Sequence, residues 1–340
     1  MNPSRNILVV GAGFTGAVIA RELAEAGHSV HVMDKRRHVA GNAHDYVNEH
    51  GIRVHQYGPH LFHTKMKDVY DYLSRFTEWL PYQHRVKAQL ADGRLVTLPV
   101  NHETSQIVGK ENVLDVFFRP YTLKMWGIPL DRLDPSVIAR VPIRDDDNEL
   151  YFPNDPYQGI PKDGYTTLIS NILDHANIKV FLGGTFTKHL EKDYDHIFSA
   201  QPIDEYYDFI YGELPYRSIR FHQAHVPLSQ VFQHATVNFT HSGPYTRVTE
   251  WKNIPGHGEN PYITSLTYEE PCDYRDNGME RYYPVKDIEG KNREIYLRYK
   301  NIPNAKVTFC GRTGLYAYLD MDQAVTVARS MARQFIEKQS

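Results

Sequence analysis

The stretch NILVVGAGFTG at residues 6–16 decides the fold of this chain. Its apolar run leads into the glycine pattern GxGxxG, and residues 17–26 then repeat apolar positions at helical spacing until Gly27. A second apolar run at residues 30–33 completes a strand, turn, helix and strand. In such a unit the three glycines allow a tight turn, the approach of a pyrophosphate and close packing of the helix on the strand. The stretch therefore predicts a Rossmann-like dinucleotide-binding domain, and a glycine turn without a ligand is the less favoured interpretation.

The residues that follow this unit narrow the choice of dinucleotide. Asp34 can accept hydrogen bonds from both ribose hydroxyls of an adenosine, whereas a 2′-phosphate would be repelled, so we expect a cofactor other than NADP. The glycine pattern alone does not separate NAD from FAD. A late strand at residues 306–309 and a helix at 321–338 favour FAD, because flavoproteins of this type return a C-terminal strand and helix to the flavin ring. The N-terminus of that helix would attract an anionic reduced flavin.

Composition excludes several other classes of protein. The chain has 340 residues, of which 41% are hydrophobic and 23% charged, as expected for a globular protein of two or three sub-domains. The net charge of -3 gives no overall basic field for nucleic acid. Cys272 and Cys310 lie far apart, which argues against a disulfide framework or a cysteine zinc site. Without a signal peptide or a long apolar run, we expect a cytoplasmic protein with no nucleic acid or membrane partner.

The rest of the chain predicts shorter elements. Asp92-Gly93 lies at the centre of a predicted hairpin, and prolines break residues 103–140 into short helices. Residues 200–300 are rich in tyrosine and β-branched residues, which favours an antiparallel sheet. The other predicted elements are a helix at residues 164–176 and strands at residues 179–182 and 196–199.

Several segments in a fixed order extend far beyond the glycine loop. They are GPHLFHT at residues 58–64, YTLKMWG at 121–127, RVPIR at 140–144, YQGIP at 157–161 and YYPV at 282–285. Together with the glycine loop they resemble the bacterial UDP-galactopyranose mutase family over nearly the whole chain.

The resemblance implies an enzyme that interconverts the pyranose and furanose forms of a nucleotide-diphosphate sugar, most simply UDP-galactose. In that family FAD acts in its reduced form, and its N5 attacks the anomeric carbon of the sugar. A reductant such as NAD(P)H or a reductase would prime the flavin, and a homodimer is a possible assembly. Such chemistry needs a cationic clamp on the diphosphate, an anchor for the pyrimidine and a dry pocket over the flavin.

The resemblance also assigns roles to individual residues, and their common order favours function, although a lone Arg or Tyr more often serves solvation or packing. The implied catalytic residues are His60, His63, Arg140, Arg247 and Asp320. The implied substrate-binding residues are Tyr121, Trp126, Arg140, Tyr151, Asn238, Arg247, Tyr283 and Tyr318. The implied cofactor-binding residues are Gly11, Gly13, Phe14, Thr15, Gly16, Asp34, Lys35, Gly41, Asn42, Arg217, Arg312 and Asp320. His60 and His63 lack a third ligand of suitable spacing, so no metal site is predicted.

The predicted fold is α/β, with a doubly wound Rossmann-like FAD-binding domain, a small helical insertion and an antiparallel β-sheet layer. The chain departs from the family between Val100 and Tyr121, where the family inserts several helices and this chain has few residues. The predicted domains are an FAD-binding domain at 1–65, 164–210 and 286–340, a shortened helical sub-domain at 102–140, and a sheet or substrate domain at 66–101, 141–163 and 211–285.

Three other functions stay open at the level of sequence. A mutase of the same mechanism for a 6-deoxyhexose, an N-acetylhexosamine or a pentose would keep the same residues. An FAD oxidoreductase would share the first strand–helix–strand unit and the late helix without needing arginines directed at a diphosphate. A binding protein that does not catalyse is disfavoured by the retained His60, His63, Arg312 and Asp320.

Overall fold

A computed structural model describes residues 4–135 and 143–338 of the chain. The N-terminal unit forms as predicted, except that its helix begins at Phe14 rather than at residue 17. The backbone of Gly13, with φ -81° and ψ -172°, is extended, so the helix starts immediately after it and includes the third glycine of the pattern. The strands and helices in chain order are β1 Asn6–Val10, α1 Phe14–Glu25, β2 Ser29–Asp34, β3 Asp45–Val47, β4 Arg53–His55, β5 Phe62–Thr64, α2 Lys67–Leu73, β6 Trp79–Pro81, β7 Val86–Gln89, β8 Leu95–Leu98, α3 His102–Val108, α4 Arg119–Trp126, β9 Tyr157–Pro161, α5 Gly164–Leu173, β10 Ile178–Leu182, β11 His196–Ser199, α6 Ile203–Tyr206, β12 Tyr216–Val226, β13 Thr236–Phe239, β14 Arg247–Glu250, β15 Thr264–Asp273, β16 Tyr283–Pro284, α7 Lys291–Lys300, β17 Val307–Phe309, α8 Gly311–Gly314 and α9 Met321–Glu337.

A five-stranded parallel sheet carries the N-terminal unit. Its order is β10-β2-β1-β11-β17, and every neighbouring pair is parallel. The helices α1, α5 and α9 pack together on this sheet, where Leu23, Ile169 and Val325 are fully buried. Burial of each such side chain stabilises the fold by about 1.5 to 3 kcal/mol. The core therefore fixes β1 and α1, which hold the glycine loop between them.

A seven-stranded sheet forms the second layer, with the order β16-β12-β15-β14-β13-β7-β8. Neighbouring strands run antiparallel except β13 and β7, which are parallel. The predicted α/β class with an antiparallel layer is thus confirmed, with one parallel pair that the sequence did not predict. Smaller antiparallel sheets, β3-β4 and β5-β9-β6, lie beside these two.

Short helices follow β8, as the prolines predicted. Asn101 caps α3 by accepting a hydrogen bond from the backbone of Thr104, and Pro120 lies in the first turn of α4, where its missing N–H is not needed. Gly127 ends α4 in the left-handed conformation, with φ 68°. Within residues 4–135 and 143–338, no helix has the length and apolar content needed to cross a bilayer. The domain boundaries given above stay a prediction.

Candidate active site

The glycine loop forms the floor of a cleft at the carboxyl end of β1. A Cβ atom on Gly16 would lie 1.8 Å from the carbonyl oxygen of Gly11, so packing of α1 against β1 demands glycine there. At Gly13 the nearest atom to such a Cβ is 3.7 Å away, in Gly41. The protein itself therefore has room at Gly13, and the absence of a side chain keeps the first amides of α1 accessible to a phosphate.

Asp34 lies beside this loop and its carboxylate is held in place by backbone. One oxygen accepts a hydrogen bond from the N–H of Ala12 at 2.7 Å, and the other accepts one from Arg36 at 2.9 Å. The Arg36 side chain donates to Asn42 Oδ1 at 2.9 Å. Ten predicted cofactor residues line this one cleft: Gly11, Gly13, Phe14, Thr15, Gly16, Asp34, Lys35, Gly41, Asn42 and Arg312. Open helix amides, a glycine at the point of approach and an oriented carboxylate fit the pyrophosphate and ribose of FAD.

Two predicted cofactor residues, Arg217 and Asp320, are not among the residues that line the cleft, although the chain neighbours of Asp320 are. Arg217 donates from Nε to the carbonyl of Met125 at 2.7 Å and from Nη2 to that of Lys124 at 3.1 Å. It therefore binds the last carbonyls of α4 and does not line the cleft, and its role beside the flavin stays a prediction. Asp320 is the N-cap residue of α9, and its N–H donates to Gln323 at 3.1 Å.

A chain of buried histidines supports His60, which lies on the cleft wall. The N–H of His60 donates to Nδ1 of His55 at 3.0 Å, so the proton of His55 lies on Nε2. That atom is 3.0 Å from Nε2 of His257, which must accept the bond and in turn donate from Nδ1 to the carbonyl of Pro255. Burial lowers the pKa of His257 to about 4 and that of His55 well below its ordinary value, so both rings are neutral at neutral pH. Burial lowers the pKa of His60 to about 4 as well.

The predicted residue His63 lies outside the lining of the cofactor cleft. Its Nδ1 is 2.6 Å from a carboxylate oxygen of Asp155, and its ring stacks on Phe152 with centroids 3.5 Å apart. Phe152 in turn lies 6.4 Å from the ring of His84. Burial, and then the nearby Arg247, lower the pKa of His84 to about 3. His63 therefore belongs to the neighbourhood of Arg247.

A row of polar side chains crosses three strands of the seven-stranded sheet. Asn238, Arg247 and Glu269 are directly opposite one another on β13, β14 and β15, so they share one face. Nε of Arg247 lies 3.2 Å from a carboxylate oxygen of Glu269, and Nη2 donates to the hydroxyl of Tyr121 at 3.3 Å. Although burial opposes it, Glu269 raises the pKa of Arg247, as do the nearby tyrosine hydroxyls, including that of Tyr151. The guanidinium is thus a permanent cation in a mostly buried place.

This row keeps unused hydrogen-bonding capacity. Within the described parts of the chain, Asn238 Oδ1 and Glu269 Oε1 are buried and have no hydrogen-bond partner, whereas Arg247 Nε faces the other oxygen of Glu269. A buried polar atom without a partner costs about 1 to 3 kcal/mol, so two of them in one row oppose folding unless a ligand binds there. The face is therefore a good candidate for a polar ligand.

Aromatic residues form the second wall of this pocket. The rings of Tyr283 and Tyr318 stack at 5.6 Å with an interplanar angle of 11°, and Trp126 meets Tyr283 edge-on at 6.3 Å. The guanidinium of Arg312 lies 4.8 Å from the ring of Tyr318 and 5.8 Å from that of Tyr283. Because Arg312 also lines the cofactor cleft, it connects the cleft with the aromatic wall.

The structure thus places Tyr121, Trp126, Asn238, Arg247, Tyr283 and Tyr318 in one region, and Tyr151 within electrostatic reach of Arg247. Arg140, predicted to bind the diphosphate, lies outside the described residues. Sequence reasoning missed Glu269 and His84, which stand in no recognised motif. It also missed Lys124, which lies within the segment YTLKMWG and donates to the carbonyls of Phe239, His241 and Tyr245 at 2.7, 3.1 and 3.0 Å.

Comparison with known proteins identifies the family. Residues 116–318 match the family model "GLF: UDP-galactopyranose mutase", and residues 9–76 match the NAD(P)-binding Rossmann-like domain. The chain belongs to the UDP-galactopyranose mutase family. The family prediction is confirmed, and with it the prediction of an isomerase.

Individual relatives cover almost the whole chain. A probable UDP-galactopyranose mutase of Klebsiella pneumoniae is 34% identical, covering 98% of this chain and 95% of the relative. A dTDP-fucopyranose mutase of Escherichia coli is 32% identical, covering 97% of this chain and 98% of the relative. Among solved structures, a reduced UDP-galactopyranose mutase is similar with a TM-score of 0.74 at 17% identity, covering 99% of this chain and 94% of that one.

The same fold occurs in oxidases. A putrescine oxidase is similar with a TM-score of 0.59 at 14% identity, covering 98% of this chain and 99% of that one. Likeness at such identity concerns the fold alone. The mutase family is therefore shown by the sequence matches, and the site residues remain predictions.

Proposed function

We propose that this protein binds FAD and, with the flavin reduced, interconverts the pyranose and furanose forms of a nucleotide-diphosphate sugar. The observation that carries this proposal is the position of Arg312, which lines the dinucleotide cleft and also stacks on the tyrosines beside the Arg247 pocket. Reduced FAD would supply a nucleophilic nitrogen for the anomeric carbon of the sugar. The two neighbouring sites match a reaction in which a sugar must meet both a flavin and its own leaving group.

The residues of the cleft are suited to hold the cofactor. Asp34 would accept hydrogen bonds from the adenosine ribose, and the amides beyond Gly13 would bind the pyrophosphate. Arg312 and the N-terminus of α9, where Leu319 and Met321 line the cleft, would place positive potential at the far end. This arrangement favours an anionic, reduced cofactor over a neutral one.

The Arg247 pocket is suited to hold the nucleotide diphosphate. The guanidinium stays charged, and its fork of donors fits phosphate oxygens. Glu269 fixes one side of it, which directs the remaining N–H groups toward Tyr121 and the open face. A clamp of this kind would retain the expelled diphosphate close to the sugar until the ring has closed again, while Trp126 and Tyr121 would pack against the base.

Two nucleotide sugars are candidates, and the relatives favour both. The similar proteins of K. pneumoniae and E. coli are named for UDP-galactopyranose and dTDP-fucopyranose, at 34% and 32% identity. We propose UDP-galactose as the first substrate and a dTDP-linked 6-deoxyhexose as the second. The features of the pocket described above would contact the diphosphate, which both substrates share, and a pyrimidine base, which is uracil in one and thymine in the other.

The proposal is tested by anaerobic incubation of dithionite-reduced protein with UDP-galactofuranose or dTDP-fucofuranose, with release of the pyranose followed by chromatography. We expect conversion of one of them by the reduced protein only. Equal conversion by oxidised protein would exclude a flavin nucleophile, and oxygen consumption with net flavin turnover would identify an oxidoreductase. Failure with both sugars, in protein that retains FAD, would overturn the proposed substrates.

The physiological partners belong to the same proposal. A reductant such as NAD(P)H or a reductase would prime the flavin, and bleaching of the bound flavin by NADH and NADPH under anaerobic conditions would measure this. A homodimer and a cytoplasmic location stay predictions, the former tested by sedimentation of the purified protein.

A further inference from the structure

A cluster of three potential metal ligands lies at the end of β12 that is remote from Arg217. Nε2 of His50 is 3.6 Å and Nε2 of His225 is 3.7 Å from the same carboxylate oxygen of Glu49. All three ligand atoms lie within 4.8 Å of one another. The two imidazole rings meet edge to face, with centroids 4.7 Å apart. These residues come from two segments, the turn between β3 and β4 and the end of β12, so sequence spacing did not indicate a site.

The surrounding residues orient the ring of His225 and fix the backbone of His50. Nδ1 of His225 is 3.0 Å from the hydroxyl of Ser265, and the same hydroxyl accepts a hydrogen bond from Asn48 at 2.9 Å. Asn48 also accepts from the backbone N–H of His50 at 3.0 Å. A metal-binding imidazole typically makes such a bond through its second nitrogen, which fixes the ring and leaves the other nitrogen directed at the ion. The cluster therefore has a supporting layer as well as ligands.

The turn between β3 and β4 is also held by residues that are not part of the cluster. Asn260 donates from its side chain to the carbonyl of His50 at 3.0 Å, and Gly51 continues the turn with φ 72°. Glu49 and His50 are consecutive, yet both direct their ligand atoms to His225. An exposed Glu–His contact by itself is common in proteins without any ion. The second histidine and the hydrogen bonds from Ser265 and Asn48 distinguish this place from such a contact.

We propose that Glu49, His50 and His225 bind a divalent transition-metal ion of the Zn²⁺ type. A tetrahedral ion with bonds of about 2.0 to 2.1 Å needs ligand atoms roughly 3.3 Å apart, so the cluster requires a contraction of about 1.5 Å or less. Two imidazole nitrogens and one carboxylate suit Zn²⁺, Ni²⁺ or Cu²⁺ better than Mg²⁺ or Ca²⁺, which prefer oxygen ligands. The side chain of Glu49 is 69% exposed, so water can complete the coordination.

The distance between this cluster and the proposed active site indicates a structural role for the ion. His225 and Arg217 lie near opposite ends of β12, about 27 Å apart at about 3.4 Å per residue, and Arg217 is paired with Tyr283 of the aromatic wall. A bound ion would join the β3–β4 turn to the end of the seven-stranded sheet without reaching the proposed active site. Its effect would be on stability, and the mutase reaction itself would not require it.

The test uses full-length protein without a polyhistidine tag, treated with a chelator and then titrated with ZnCl₂ in a calorimeter. We expect one ion per chain, with affinity reduced at least tenfold in His225→Ala and in Glu49→Gln. The latter changes an exposed carboxylate and should leave folding intact. The matched control is His189→Ala, which removes an exposed imidazole far from the cluster in sequence and should leave binding unchanged.

A second readout separates binding at this cluster from binding elsewhere. Zn²⁺ should raise the thermal midpoint of the wild-type protein and of His189→Ala, and should raise it less or not at all in His225→Ala and Glu49→Gln. Absence of saturable binding would overturn the proposal. Binding that is equal in the wild type and in both cluster variants would overturn it too, because the ion would then lie at another place.

Discussion

The cofactor cleft and the Arg247 pocket are built in different ways. The floor of the cleft is made of backbone from one continuous segment, in which Gly13 leaves amides accessible and Gly16 lets α1 touch β1. The pocket is made of side chains from three strands, and Asn238, Arg247 and Glu269 meet only because the sheet brings them into register. A backbone site is visible in local sequence, whereas a side-chain site depends on pairing between distant strands.

The largest expected effect separates the packing role of Gly16 from the cofactor-binding role that we propose for Gly13. Gly16→Ala places a methyl group 1.8 Å from the carbonyl oxygen of Gly11, and we expect a loss of about 4 kcal/mol or more in the free energy of unfolding. Gly13→Ala meets no protein atom closer than 3.7 Å and keeps an allowed backbone conformation. It should retain the fold and lose FAD. Urea denaturation and the flavin content of purified protein measure the two effects.

One outcome would contradict the separate roles assigned to Gly13 and Gly16. If Gly13→Ala unfolds as readily as Gly16→Ala, the loop serves packing alone and the comparison between backbone and side-chain sites fails. Gly93→Ala is a control for backbone strain outside the cleft, because a Cβ there meets no atom within 4 Å but the φ of 88° is unfavourable for alanine. It should lower stability without changing the FAD content.

The next largest effect is expected from loss of the ion pair between Glu269 and Arg247 in the pocket. Glu269→Gln leaves the buried Arg247 without its anion, and breaking such a pair costs about 3 to 5 kcal/mol. We expect lower stability and a large loss of mutase turnover, with normal FAD content because the cleft is untouched. The double variant Glu269→Gln, Arg247→Met should recover part of the stability and none of the turnover.

Glu270→Gln is the matched control for Glu269→Gln, because it changes the next residue of β15, whose partners are Arg220 and His222. Equal effects of the two substitutions on turnover would show that the Arg247 row has no special role. Chemical denaturation and the chromatographic assay at saturating nucleotide sugar provide the readouts.

The effect that is smallest for a single residue and a single pH unit is a pH dependence that both regions share. The folded pKa values of about 3 for His84 and about 4 for His60 and His257 lie below the ordinary value of 6.5. Because the folded state disfavours protonation, these residues contribute stability above pH 6.5 and lose it as the pH falls toward 4. Each contributes about 1.4 kcal/mol per pH unit in that window.

Measurements of unfolding free energy at pH 7.5, 6.0 and 5.0 check this slope. His84→Gln should make the slope shallower, whereas His189→Gln at an exposed position should leave it unchanged. An identical slope in wild type and His84→Gln would mean that folding does not lower the pKa of His84.

The sequence predicted the parallel unit well because its signals are local. Strands at residues 6–10 and 196–199 have their predicted bounds, and the final helix differs from prediction by one residue at its end. The parallel pairing of β13 with β7 had no local signal, since their residues are remote in sequence. The role of Glu269 could not be predicted for the same reason, because its partner Arg247 lies on another strand. The hydrogen bonds from Arg217 to the end of α4 likewise had no local signal, and its predicted place beside the flavin stays a prediction.

The order of the five-stranded sheet has a consequence for biosynthesis. Strand β11 lies between β1, near the start of the chain, and β17, near its end, and α9 packs against α1. A ribosome releases α1 some three hundred residues before the helix that covers it. The nascent N-terminal unit must therefore remain incomplete, with apolar surface that chaperones can bind, until α9 has been synthesised. Binding of the proposed cofactor would then have to wait for β17 and α9, although the glycine loop is synthesised first.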